Sequence, residues 1–158
     1  MQTLRIPTKD EFDDTKLKAE FNPEEKVYWD KLHKRVWDNK GGSTEEYLDG
    51  IEIYKKELPN IESMFGERIA VKRRVEYKIA HTYEWIATYI MEDAEDIKKA
   101  EIFEQAADWY QSADETLGYL TDYALRQAES CFRAAESYKK SELTEKAKHF
   151  VRRGALLL

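Results

Sequence analysis

Apolar residues recur along most of this chain at three- and four-residue intervals, and no stretch of four to eight residues alternates as a strand would. The pattern predicts an all-α protein of about six helices. Asn22-Pro23-Glu24-Glu25 opens the first: Asn caps free amides, Pro suits the first helical position, and the two Glu favour the positive end of the dipole. Tyr28, Leu32 and Val36 then recur every fourth residue, beside Val27, Trp29 and Trp37, until Gly41-Gly42 stops the helix. Ser43-Thr44-Glu45-Glu46 starts a second helix, with Tyr47, Leu48, Ile51, Tyr54 and Leu58 on one side and Pro59 as its expected end. Asn60 is expected to cap a short element beginning at Ile61, with Gly66 as a break or a tolerated interior residue. From Glu67 to Glu92 the pattern is continuous, through Val71, Val75, Ile79, Tyr83, Ile86 and Ile90, with Trp85 and Tyr89 as a second stripe. Such a broad apolar face predicts a central helix.

Asp93-Ala94-Glu95-Asp96 turns the chain into a fourth helix, Ile97 to Ser112, with Ile102, Phe103, Ala106, Ala107 and Tyr110 inward. A turn at Ser112-Ala113-Asp114-Glu115 leads to a fifth, Thr116 to Lys139, which carries Leu117, Leu120, Ala124, Leu125, Ala128, Phe132, Ala135 and Tyr138. The sixth is expected over Glu142 to Arg153 with Ser141 as its cap. The stretch 125–154 is the most legible: two helices folded on each other, with Ala128, Ala134, Ala135 and Ala147 where backbones approach and Phe132, Tyr138 and Phe150 around them. Residues 1–21 lack a period and read as a partly extended arm, pinned by residues such as Leu4, Ile6, Phe12, Leu17 and Phe21. Residues 22–158 read as a single helical domain.

Composition supports this division. An aromatic content of 13% argues for a packed core although 37% of residues are charged, and the low counts of Pro and Gly (3 and 6) favour long elements over tight turns. A net charge of −6 argues against nucleic acid as a partner, which usually needs a basic face. The single cysteine, Cys131, allows neither an internal disulfide nor a cysteine-rich zinc site. The N-terminus has no apolar leader, and no segment offers the roughly 20 apolar residues of a membrane span. The expectation is a cytoplasmic, soluble protein.

Two segments repeat one another: Ile102-Phe103-Glu104-Gln105-Ala106-Ala107-Asp108-Trp109-Tyr110 and Cys131-Phe132-Arg133-Ala134-Ala135-Glu136-Ser137-Tyr138. Each places an aromatic before an Ala pair, then an acid, then Tyr. Together with Ala147 and Gly154 on the last helix, this resembles tetratricopeptide repeats, and more closely the longer-helix variety of soluble NSF attachment proteins. Cys131 stands where that pattern commonly has Trp, and Gly154-Ala155 where it often has Pro. The resemblance covers Ile97 to Gly154 and implies antiparallel hairpins stacked with a right-handed superhelical twist, and a role in binding another protein.

Chemistry is sparse. His33, His81 and His149 fall on three different predicted helices, and neither Glu-x-x-His nor His-Glu-x-x-His occurs. Glu92, Glu95, Asp96, Glu101 and Glu104 gather at a helix junction without the second acidic pair that a Mg²⁺ site would need. No metal and no cofactor are expected. Lys72-Arg73-Arg74 and Arg152-Arg153 are the basic clusters. Arg74 and His81, with six residues between them, resemble the spaced Arg and His of HEPN-type ribonucleases, although Val75 follows the Arg where that family usually has a polar residue. That resemblance implies an alternative in which Arg74 and His81 cleave RNA. The aromatic residues exceed what a core of this size requires, so some should line an interface. Trp85, Tyr89, Trp109 and Tyr110 are the expected binding residues. The reading is an adaptor or scaffold without catalysis, whose partner is another protein or a second copy of itself.

Overall fold

The computed structural model describes residues 21–38, 40–66, 68–91, 95–117 and 121–158, with side chains throughout except at 114–117 and 121–123. These residues form six helices: α1 (Pro23–Trp37), α2 (Thr44–Phe65), α3 (Ala70–Trp85, continued by a π-helical turn at Ile86–Ile90), α4 (Asp96–Leu117), α5 (Thr121–Lys140) and α6 (Thr144–Ala155). No strand occurs among the described residues. The expected arm lies outside them except for Phe21, whose ring packs 6.2 Å from that of Trp29.

The first helix starts as its sequence dictates. The Asn22 side chain accepts from the Glu25 amide at 2.8 Å and Glu25 Oε1 accepts from the Asn22 amide at 3.1 Å, a complete capping box. Glu25 is wholly buried, and the same Oε1 accepts from Arg68 Nε and Nη2 at 2.9 and 2.6 Å. One carboxylate thus ties the start of α1 to the segment entering α3.

Elsewhere tertiary contacts overrule local signals. Pro59 does not end the second helix, which runs on to Phe65 and stops at Gly66 (φ 54°). An interior Pro costs about 3 kcal/mol. Continuing the helix buries Ile61 to 1% exposure and sets Phe65 edge-on to Tyr28 at 5.3 Å, and burying such side chains is worth about 1.5–3 kcal/mol each. The separate element expected from Ile61 is therefore the last turn of α2. In the same way α4 passes through the turn expected at Ser112–Glu115, burying Ala113 on the way. Ser141 is not the cap of α6: its hydroxyl donates back to the Ser137 carbonyl at 3.1 Å, Glu142 takes a left-handed conformation (φ 63°), and α6 begins two residues later than expected.

Pairs of contacting residues run in opposite senses between consecutive helices: Trp29–Tyr54 and Trp37–Tyr47, Lys55–Tyr83 and Glu62–Lys72, Glu76–Ser112 and Glu84–Tyr110, Glu104–Tyr138 and Gln111–Gln127, Phe132–Gly154 and Tyr138–Phe150. The helices therefore fold as successive antiparallel hairpins. Two cores result. One joins α1, α2, α3 and one side of α4 around Trp29, Ile51, Tyr54, Val75, Ile79 and Tyr110. The other joins α4, α5 and α6 around Phe103, Ala107, Ala134, Ala135, Tyr138 and Phe150. Small residues allow close approach in both. A Cβ on Gly50 would come within 2.9 Å of the Trp37 ring, and one on Gly154 within 2.7 Å of the Phe132 ring.

The third helix is the centre of the fold. Twelve of its sixteen residues are buried, so neighbours cover it on nearly all sides. Arg73, Arg74, Glu76, His81 and Glu84 are among the twelve, which an amphipathic reading would have placed in solvent.

Candidate functional site

A cleft of about 360 Å³ opens between α1, the start of α2 and the C-terminal half of α3. Its floor is one stripe of α3: Lys78, His81, Thr82 and Trp85 stand at i, i+3, i+4 and i+7 and so share a face. Facing them, His33 and Trp37 project from consecutive turns of α1, and Lys40, Gly41 and Tyr47 close the end. The walls are fixed from behind. Tyr54, fully buried on α2, accepts the Trp37 indole N–H at 2.9 Å and meets His33 Nδ1 at 3.1 Å. Trp29 stacks on Tyr54 at 6.0 Å and lies 5.4 Å from His33. With Nδ1 engaged by Tyr54, Nε2 is the His33 nitrogen on the far side of the ring.

The charges around the cleft are uneven. Burial, helped by the positive charges of Lys78 and Arg126, holds the His81 imidazole well below its usual range, so it is neutral at neutral pH. Glu46, beyond the end of the cleft, is turned onto its own loop, where it accepts from the Gly41 amide and from Ser43 Oγ. Those bonds, with the charge of Lys40, lower its pKa. No carboxylate is among the described residues that line the cleft. Thr82 donates to the Lys78 carbonyl at 2.6 Å, which leaves its oxygen lone pairs as acceptors.

Behind the floor lies a buried polar network. Tyr110 on α4 donates to Glu84 Oε1 at 2.6 Å, and Arg126 Nη2 on α5 stands 3.4 Å from the same oxygen. Glu84 and Tyr110 are entirely enclosed. Burial raises the Glu84 pKa, while Arg126 and the Tyr110 hydroxyl work against that rise. Burial likewise pushes the Tyr110 hydroxyl well above its usual range, with Glu84 adding to it. The Arg126 guanidinium also lies 5.8 Å over the Tyr110 ring, so ion pairing and ring contact converge on one residue.

The structure separates the expected binding residues. Trp85 lines the cleft, and Tyr89, one turn further along the π segment, holds its ring 4.6 Å away. Trp109 lies elsewhere, half-buried on α4 with the Lys55 ammonium 5.7 Å over its ring; Lys55 itself donates to Tyr83. Tyr110 is a core residue and presents no surface to a partner; its inward position in the α4 period carries it there. Arg74 and His81 sit on similar sides of α3, about 10.5 Å apart along its axis. Arg74 is enclosed, with its guanidinium 5.0 and 5.5 Å over Phe21 and Trp29, and only His81 lines the cleft.

Other candidate chemistry is absorbed into packing. Glu104 accepts from the Tyr138 hydroxyl at 2.7 Å and Glu101 is exposed, while Glu92 lies outside the described residues. Among the described residues no group of three or more His, Cys, Asp or Glu comes together. Burial pushes the Cys131 thiol up to about 11. Arg153 of the second basic cluster bonds Asp108 and Gln111 at 2.8 and 2.9 Å. No helix among the described residues is long and apolar enough to cross a membrane.

The cleft residues His33, Trp37, Lys78 and Thr82 carry no sequence signal of function. The polar spacing on α3 was visible, but its α1 wall arises only from folding. Comparison with family models, curated proteins and solved structures yields no match to this chain.

Proposed function

We propose that this chain is a non-catalytic binding module, a helical-hairpin adaptor that receives a segment of another protein in the α1–α3 cleft. The observation that carries the reading is the cleft itself. Its volume falls within the roughly 300–1,000 Å³ of ligand pockets. Three aromatic residues, Trp37, Tyr47 and Trp85, stand around a few polar groups, the composition that dominates binding energy at interfaces. The binding residues in this reading are Trp85 in the cleft and Tyr89 against its ring; Trp109 would belong to a second, separate surface.

The architecture we propose for α3–α6 is stacking of the tetratricopeptide kind, with a right-handed superhelical twist. The small residues at the α5–α6 crossing, Ala134, Ala135, Ala147 and Gly154, support it. The cytoplasm is the proposed setting.

Selection of displayed peptides on the wild-type protein, with counter-selection on a folded Trp85→Ala variant, tests the reading. Enrichment of peptides that bind wild type and lose at least tenfold on W85A is the expected result. Peptides that bind both equally, or no enrichment at all, would remove the cleft as a partner site. If the partner is a second copy of the chain, light scattering will give a mass that rises with concentration in the wild type and not in W85A.

A further inference from the structure

We infer that the α1–α3 cleft takes the chain's own residues 16–20 as an extended segment, with Leu17 between Trp37 and Trp85, so that a partner must displace them. The displacement rests on the reading of the cleft as a partner site; the docking rests on how the chain enters α1.

Asn22 is extended (φ −75°, ψ 170°), and Phe21 before it holds the position whose apolar side chain usually packs on the fourth helical residue. That residue is Lys26. The Phe21 ring instead lies 6.2 Å from Trp29, three residues further along α1, with the Arg74 guanidinium 5.0 Å over it. Phe21 is thus turned back along the seam between α1 and α3, toward the cleft.

That seam runs on into the cleft. Trp29, His33 and Trp37 follow one another at four-residue intervals on α1, and Arg74, Lys78 and Trp85 share a face of α3. The two helices run in the same direction, since each is antiparallel to α2. From Arg74 to Trp85 is about 17 Å along the axis. About five extended residues cover that length.

The residues before Phe21 suit the path. Lys16-Leu17-Lys18-Ala19-Glu20-Phe21 is too poor in β-branched residues to read as a sheet strand. Laid out extended, it nonetheless puts Leu17, Ala19 and Phe21 on one side and Lys16, Lys18 and Glu20 on the other. The seat of Phe21 sets the phase, so Ala19 and Leu17 turn to the seam with it. Ala19 comes about 7 Å along, level with Lys78, where a small side chain fits between helices, and Leu17 about 13 Å along, level with Thr82. The contact is apolar and asks no hydrogen bond of the polar lining groups. As a tethered segment it competes with a free peptide at an effective concentration on the order of millimolar.

The test uses the full chain with a nitroxide on Lys18→Cys, an outward position in this arrangement. Native Cys131 is enclosed and its thiol is pushed up to about 11, so it escapes labelling. The indole N–H signals of the four tryptophans report which of them the label approaches. Trp37 and Trp85 should be broadened far more than Trp109, and adding Leu17→Asp, which sets a charge against the indoles, should abolish the difference. Peptides selected on the cleft should bind Leu17→Asp at least fivefold tighter than wild type. Equal broadening of Trp37, Trp85 and Trp109 would overturn the inference, and peptides bound alike by wild type and L17D would then leave the partner reading standing. Broadening that passes from labelled chains to unlabelled ones mixed with them would overturn it in favour of a second copy. Selective broadening within one chain, with no peptide enriched even on L17D, would support the docking and overturn the partner reading together with the displacement.

Discussion

Replacing Tyr110 by Phe removes one oxygen from the middle of the fold and leaves the ring in place. That oxygen donates at 2.6 Å to Glu84, a carboxylate with no exposure whose second oxygen has no hydrogen-bond partner among the described residues. Arg126, at 3.4 Å, is the other group on the bonded oxygen. A hydrogen bond to a charged group contributes about 1.5–3 kcal/mol, and loss of a donor leaves the buried acceptor short of partners. Tyr110→Phe should therefore cost about 2 kcal/mol. For a chain of this size that corresponds to a fall in Tm of about 4–8 °C. In a Glu84→Gln background the same change removes a neutral hydrogen bond worth about 1 kcal/mol. The two costs should thus differ by about 1 kcal/mol in a double-mutant cycle measured by urea denaturation with tryptophan fluorescence. A Y110F variant within 0.5 kcal/mol of wild type, or an equal cost in both backgrounds, would refute the claim that this network holds the fold's centre together.

The remaining expectations concern His81 and Gly154. His81 has a folded pKa well below 6.5, so on acidification the unfolded chain takes up its proton first. Its share of stability is complete above pH 6.5 and is lost as pH falls through that value toward the folded pKa, with a slope of at most about 1.4 kcal/mol per pH unit. Urea midpoints between neutral pH and pH 5 should fall more steeply for wild type than for His81→Gln; parallel curves would contradict the assignment. Gly154→Ala drives a methyl to within 2.7 Å of the Phe132 ring and should cost about 1–3 kcal/mol, much of it recovered in the Gly154→Ala/Phe132→Leu double variant. A neutral G154A would show that the α5–α6 crossing yields more easily than its spacing implies.

Where a signal was local, the sequence was a sound guide. The capping box at Asn22 and Glu25 needs only four consecutive residues, and α1 begins where they dictate. The antiparallel α5–α6 pair was legible for a similar reason, since its small and aromatic residues lie close along the chain. Pro59 and Ser141 misled because each is a local stop or cap signal weighed against contacts that only folding supplies. The charged residues of α3 misled more deeply. A periodic reading assigns charges to solvent, yet Arg74 is covered by Trp29 and Phe21, and Glu84 is met by Tyr110 and Arg126 from two other helices. Of the cleft, Trp85 alone was singled out for binding in advance. His81 was noted for its spacing from Arg74, whereas folding makes it line one cleft with His33 and Trp37 of α1.

The fourth helix has a consequence for how the molecule comes apart. One of its sides, with Ala106, Tyr110 and Ala113, belongs to the first core, and the other, with Ala100, Phe103 and Ala107, to the second. Neither half can melt while the other keeps α4 whole, because the helix would expose a complete apolar side to water. Amide protons in α4 should then be the last to exchange, and their protection should report the global free energy. The two halves are in this sense a single cooperative unit, with α4 as the element through which loss of order in either would reach the other.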